Sequence, residues 1–403
     1  MKQVFIKILI ILFLVIDCRN ANKKDENQIK TFYLKELPEI TNIKLSDLGF
    51  VDIEYIPLET NERSLISGIN SVIHNWNGKF IVGKDYFLIK YWTTILMFRY
   101  DGSFVSRIGT VGRGPNEFLV AHDVDINNED QNIYLVSGWQ QKINVYSESG
   151  EFIRTFKIPL YAEIDLRFVD DKILSFSANQ FGIIENSFVL LDTDGGIIKN
   201  YPNRYPFQKH KDGVFILPHE NLFYRFNNKL FKKEIYSDTI YVFENMDFKP
   251  HIVIDVGKKL ITPKARSEFN GFYLSENYIQ PLNLFEFGDF IYYEFIYKYV
   301  LPRDVKIFSL IGSTKNDFQA LINPEQGIIN DLDGGPNVLP MTIKDDTTVI
   351  TLIEVLKLKN YIASEAFKNS TPKYPEKKKE LEKLANSLKE TDNPVLVMVR
   401  LKK

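Results

Sequence analysis

The sequence predicts an all-β fold of the propeller type, and three observations carry that prediction. A strand-turn-strand unit recurs at a spacing in the forties, each repeat has room for about four short strands, and the composition favours pleated structure. The 31 Phe and 21 Tyr against 5 Met are the aromatic bias of half-buried strands, whereas helical bundles draw more on Ala, Leu and Met.

The recurring unit is a strand, a polar turn containing Gly and a second strand. It is read in Met97 to Val105 with Gly102 at the turn, in Asn144 to Ile153 with Gly150, and in Phe188 to Ile198 with Gly195. These glycines lie 48 and 45 residues apart, and Gly supplies the positive φ that tight hairpin turns demand. A further pair, Asp123 to Ile126 and Asn132 to Val136, is joined by the polar turn Asn127 to Gln131. It brings the content of one repeat to four strands, the content of a propeller blade.

Two segments predict how the ring closes. Val51 to Ile56 alternates apolar and polar positions, as does part of Val395 to Leu401, the period of a half-buried strand. Strands from both chain ends sharing one blade leave no sheet edge at the seam, so these two are expected in the same blade. Just before the second, Pro375 to Glu390 is rich in Lys and Glu, with Leu381, Leu384 and Leu388 at helical spacing. It predicts an amphipathic helix inserted at about residues 375–390, its leucines packed on the propeller.

Charge and cysteine usage exclude several function classes. Lys+Arg of 50 against Asp+Glu of 52 gives a net charge of -2, so no basic field exists to hold nucleic acid. The single cysteine, Cys18, rules out an intramolecular disulfide framework and a cysteine zinc cluster. Upstream of it, Ile8 to Ile16 is an unbroken apolar run, shorter than the roughly 20 residues a membrane span needs. It reads as the core of a signal peptide over residues 1–17. Leu14 to Cys18 resembles a bacterial lipobox, with Asp17 standing where that pattern has a small residue. The resemblance implies a lipid on Cys18 that anchors the chain to a membrane. The polar run after it reads as a flexible tether over residues 18–45, with the propeller over 46–403.

Ile108 to Phe118, followed by Asp123 to Asp125, Ile133-Tyr134 and Ile143 to Tyr146, resembles the blade junction of NHL repeats. With Ile56 to Thr60, Asp238 to Tyr241, Ile329 to Gly335 and Asp392 to Val397, the wider chain resembles the six-bladed β-propeller lipoproteins of Bacteroidota. The resemblance implies six blades and an address in the cell envelope, at the outer membrane on its periplasmic or surface side. It implies no particular activity.

Few residues carry a chemical signal. Trp139 stands in a turn beside amide side chains, the combination that sugar-binding surfaces use. Trp139, Gln140, Arg113 of the glycine-rich loop and His122 beside Asp123 therefore form the candidate ligand-binding set. The loop Gly109 to Phe118 lacks the Gly-Lys-Ser/Thr and the following helix of a phosphate cradle, so it reads as an inter-blade crossing. Asn330 to Gly335 offers three oxygen-bearing side chains but no Glu at the twelfth position, so it reads as a polar turn rather than a calcium loop. The five histidines form no His-x-His or His-Glu-x-x-His pair, and no Gly-x-Ser-x-Gly elbow is present, so neither a metal nor another cofactor is expected. The expectation is a non-catalytic envelope protein whose propeller face binds a small molecule, glycan, peptide or neighbouring envelope protein. The alternative is a propeller-type hydrolase, lactonase or lyase with a channel-centred site, with or without a divalent metal.

Overall fold

The strand Tyr86–Tyr91 reads Tyr-Phe-Leu-Ile-Lys-Tyr and is buried at every position. Successive side chains of a strand point to opposite faces, so continuous burial means that both faces of its sheet are covered. The neighbours of the strand Ile133–Ser137 show how. Ile133 and Leu135 pack with Leu88 and Met97 of the preceding sheet, while Tyr134 and Val136 pack with Leu166 and Phe168 of the following one. Sheets stacked face to face in a ring are a propeller, and its core is the set of apolar layers between blades.

The computed structural model describes residues 29–66, 78–159, 164–217, 219–298, 306–323 and 326–402, and it has six blades. From the innermost strand outward, blade 1 is Gly78–Val82, Tyr86–Tyr91, Thr94–Arg99 and Phe104–Arg107, and blade 2 is Asp123–Ile126, Ile133–Ser137, Lys142–Tyr146 and Phe152–Lys157. Blade 3 is Ile164–Val169, Lys172–Ser177, Asn186–Leu191 and Ile197–Pro202, and blade 4 is Asn221–Phe226, Lys229–Glu234, Thr239–Glu244 and Asp247–Asp255. Blade 5 is Gln280–Phe287, Phe290–Ile296, Ile307–Ser313 and Gln319–Ile322. Blade 6 takes Thr342–Asp345, Thr348–Ile353 and Val395–Leu401 from the C-terminal part and Phe50–Pro57 from the N-terminal part, closing the ring as expected. All neighbours within these four-stranded units are antiparallel, so one end of the molecule carries the inter-blade loops and the other the hairpins between first and second strands. These are called the loop end and the hairpin end below.

The periodic glycines now have a shared reason. Gly102, Gly150 and Gly195 all have φ between 84° and 90°, and each sits in the turn before the outermost strand. A Cβ would stand 2.2 Å from the Pro57 carbonyl oxygen at Gly102, 2.0 Å from the Ser106 hydroxyl at Gly150, and 2.3 Å from the Lys157 carbonyl oxygen at Gly195. Each of those atoms belongs to the outermost strand of the preceding blade or its end. Gly is thus required twice, by the turn and by close stacking of blades. Gly195→Ala is expected to cost about 2 kcal/mol or more, since both strain and contact oppose it. Urea denaturation followed by circular dichroism would check it, and an unchanged midpoint would contradict the account.

Two boundaries differ from expectation. Lys30–Tyr33, placed in the tether, forms a fifth strand of blade 4, parallel to Asp247–Asp255. Phe32 and Leu34 are fully buried, and Phe32 occupies the space beside Gly312 of blade 5 that a larger residue there would fill. Leu45 and Leu48 are buried too, so the ordered fold takes in residues 30–45. The expected helix is Pro375–Ser387, with Leu381 and Ala385 buried against Val355–Ala363 and Glu365–Asn369, two further helices of the same insertion. The predicted signal peptide and Cys18 lie outside the described residues.

Candidate functional site

Of the four residues singled out in the sequence, His122, Trp139 and Gln140 lie at the loop end of blade 2, and Arg113 lies in the inter-blade loop that leads into it. Trp139 is 53% exposed, and the His122 ring meets it edge-on at 5.2 Å. His122 Nδ1 accepts from the Gly138 amide at 3.0 Å, which shapes the turn that presents Trp139. Burial, with a contribution from Lys90, holds the His122 pKa below its ordinary value, so the ring is a neutral brace. Gln140 Oε1 accepts from the Leu119 amide at 2.8 Å and from the Ser137 hydroxyl at 2.7 Å. Lys142 donates to the carbonyls of Glu117 and Pro115. Gln140 and Lys142 therefore pin the glycine-rich loop that carries the exposed Arg113. Trp139 and Arg113 are the members of the set with surface to offer.

None of the four lines the main cavity. That space, about 780 Å³, follows the central channel and is lined from Lys79, Asp165 and Asn221 near the loop end to Lys84, Asn228 and Asp346 at the hairpin end. It falls within the range of ordinary ligand pockets, roughly 300–1,000 Å³. Its wall is built from charged side chains on the innermost strands of blades 1 to 4. Asp123, fully buried, accepts from Lys79 Nζ at 2.7 Å, from Arg167 Nη1 at 2.7 Å and from the Leu166 amide at 3.1 Å. Asp125, also buried, accepts from the Phe168 amide at 2.8 Å and pairs with Arg225 through both oxygens, at 2.6 and 3.2 Å.

This arrangement follows from what an innermost strand lacks. One of its edges has no partner strand, and unpaired backbone groups there need satisfying. Asp123 and Asp125, two residues apart on one strand face, cap the amides of Leu166 and Phe168, two residues apart on the next blade. Arg225 Nη2 returns to the Phe168 carbonyl oxygen at 3.0 Å. Likewise Asn283 Nδ2 donates to the Met341 carbonyl oxygen at 2.8 Å, tying blade 5 to blade 6. Burial alone would raise the Asp123 carboxyl, but Lys79 and Arg167 outweigh it and hold the group well below the usual carboxylate value. Lys90 sits behind this cluster, and burial pushes its amine down to about 8 against the pull of Asp123.

A signal for the cluster was present in the chain. Lys79, Asp123 and Arg167 are each 44 residues apart, close to the repeat spacing, with signs that alternate. Charges recurring at the blade period on innermost strands converge on one channel. The turn Asn330 to Gly335, by contrast, is turned inward on itself and on the fold. Asp333 Oδ1 accepts from Asn330 Nδ2 at 2.6 Å and from the Gly335 amide at 2.9 Å, and Asp331 caps the turn at Ser46, whose amide donates at 3.1 Å. Among the described residues no three His, Cys, Asp or Glu side chains group as metal ligands.

Solved structures share this architecture. A protein of Bacteroides fragilis described as exported superposes with a TM-score of 0.65 at 16% identity, over 93% of this chain and 100% of that one. A DUF4221 family member from Bacteroides vulgatus does so with a TM-score of 0.51 at 12% identity, over 88% and 97%. At such identities the likeness speaks for the fold. The sequence has no significant match among curated proteins. The profile of DUF4934, a domain of unknown function, matches residues 29–400, and on a match of that length the chain belongs to the DUF4934 family.

Proposed function

We propose that the chain is an exported binding protein of the cell envelope, anchored through lipid on Cys18, whose ligand occupies the central channel. The observation that carries this reading is the cavity of about 780 Å³, walled by side chains that are already fixed by one another. A site held in place before a ligand arrives loses little ordering entropy on binding. The carboxylates of Asp123 and Asp125 are committed to backbone amides and cations, which suits a recognition wall better than acid-base chemistry. The exported neighbour from Bacteroides and the apolar run Ile8 to Ile16 support the envelope address. The second strand set at the loop end, with exposed Trp139 and Arg113, is the surface on which a glycan, peptide or envelope partner would be met outside the channel.

Geometry also supports an orientation for the anchored protein. The Lys30 ammonium donates to the Asn316 carbonyl oxygen in a hairpin-end turn of blade 5. The 12 residues from Cys18 to Ile29 reach at most about 43 Å, so a lipid on Cys18 would favour the hairpin end facing the membrane.

The test is differential. Oligosaccharides, peptidoglycan fragments, short peptides and small organic acids are screened by thermal shift against the protein and against Thr342→Trp, which places a large ring into the cavity from blade 6. Compounds that stabilise the first and not the second are channel ligands. Hits that stabilise both alike would sink the channel reading and move attention to Trp139.

A further inference from the structure

We infer that the channel takes a small carboxylic acid with an apolar body, its carboxylate on Arg167 and Arg225 and its body against Phe223 and Ile343. This deepens the channel reading and rests on it. The first ground is the depth at which each charge lies. The side chains of Asp123 and Asp125 are 0% and 2% exposed, whereas their partners Lys79, Arg167 and Arg225 are 25%, 13% and 29% exposed. At this part of the wall the cations stand nearer the channel than Asp123 and Asp125, the acids that pair with them.

The second ground is unused bonding capacity. Among the described residues, the side-chain hydrogen bonds that Arg167 donates, to Asp123 and to the Leu166 carbonyl oxygen, leave from Nη1, although a guanidinium presents donors on three nitrogens. A planar fork with donors to spare matches a carboxylate, and charge-assisted bonds of this kind are the strong ones. Asp165, on the same strand as Arg167 and 31% exposed, pairs with Lys79 at 3.4 Å, which leaves Arg167 as the wall cation with donors to spare.

The third ground is what lies between the cations. The Phe223 ring sits 5.4 Å from the Arg167 guanidinium, and Phe223, Ile343, Phe80 and Val169 are half-buried residues lining the same cavity. An inorganic anion would leave that surface wet. A ligand that places an apolar group there buries it at about 25 cal/mol per Å², while its acid group pairs with the guanidinium.

A matched trio decides it: phenylbutyrate, phenylbutanol and phenylbutylamine share a body and differ in the polar end, with acetate as the acid that lacks the body. Calorimetric titration of the protein should show the acid binding about tenfold or more tighter than the alcohol, with the amine and acetate weaker still and the acid's affinity falling as salt rises. Arg167→Gln should remove the preference for the acid. Because that change also disturbs Asp123, Phe223→Leu is run beside it and should weaken acid and alcohol alike while keeping the preference. Equal binding of acid and alcohol, or no binding of the acid at millimolar concentration, overturns the inference. If neutral oligosaccharides are then still lost in Thr342→Trp, the channel reading stands without it. If the acid binds Thr342→Trp as well as the unaltered protein, both are wrong.

Discussion

Asp123→Ala is expected to lower the free energy of unfolding by about 2–4 kcal/mol near neutral pH, the cost of leaving the partly buried Lys79 and Arg167 and the buried Leu166 amide without their acceptor. The carboxylate is fully buried and receives Lys79, Arg167 and the Leu166 amide, so its loss strands three donors from two neighbouring blades. If unpaired charge is the cause, adding Arg167→Met to Asp123→Ala should restore part of the loss, because neighbouring substitutions of this kind are not additive. Equilibrium denaturation of the single and double variants measures it, and a double variant weaker than either single would argue for lost packing instead. The pH dependence follows with a definite sign. Asp123 titrates below its ordinary value of 3.8 in the folded protein, so its contribution is complete above that value and is lost as pH falls through the folded pKa. The unaltered protein should therefore lose stability in acid by an amount the Ala variant does not show.

The architecture was legible in the chain wherever a local rule coincided with the ring. Gly102, Gly150 and Gly195 announced the blade period because one residue type served both the turn and the approach of the next blade. Val51 to Ile56 and Val395 to Leu401 announced closure through their alternation. The fifth strand of blade 4 gave no such sign. Lys30–Tyr33 is four residues long and directly follows a polar run, and its burial comes from Phe32 meeting Gly312 across the fold. The insertions of blades 4 to 6 hid the later repeats for a related reason. Pro263–Glu268 and Gly271–Asn277 lie between blades 4 and 5, and three helices interrupt blade 6, so the period breaks while the blades persist. Sites suffered most. Trp139 drew notice because an aromatic beside amides is a local pattern, but the channel wall is assembled from single charged residues on separate blades. Asp123-Val124-Asp125 alone reads as a solvated strand, and only the ring brings it to Arg167 and Arg225.

Glu294→Gln is expected to stabilise the protein in alkali and to leave it unchanged in mild acid. Glu294, on the second strand of blade 5, is 1% exposed, and its Oε1 has no hydrogen-bond partner among the described residues. Burial pushes its carboxyl up to about 8 from an ordinary 4.5. Between those two values the folded chain holds a proton that the unfolded chain releases, so stability falls as pH rises through that window. The whole decline is at most about 5 kcal/mol, and relaxation or water entry reduces it to a few. Gln carries no charge to desolvate and keeps the shape, so its curve should lack this decline, meeting the unaltered protein near pH 5 and exceeding it by about 2–4 kcal/mol near pH 9. Lys90 and Lys233, each pushed down by burial to about 8 from 10.5, act in the opposite sense. The unfolded chain binds the extra protons between those values, so both lysines make stability rise with pH there. They are common to the two proteins and drop out of the difference. Denaturation midpoints across the range measure that difference directly. Parallel curves for the two proteins would mean that Glu294 is hydrated or paired when folded, and that its surroundings between its cross-strand neighbours Asn283 and Ser309 are not dry.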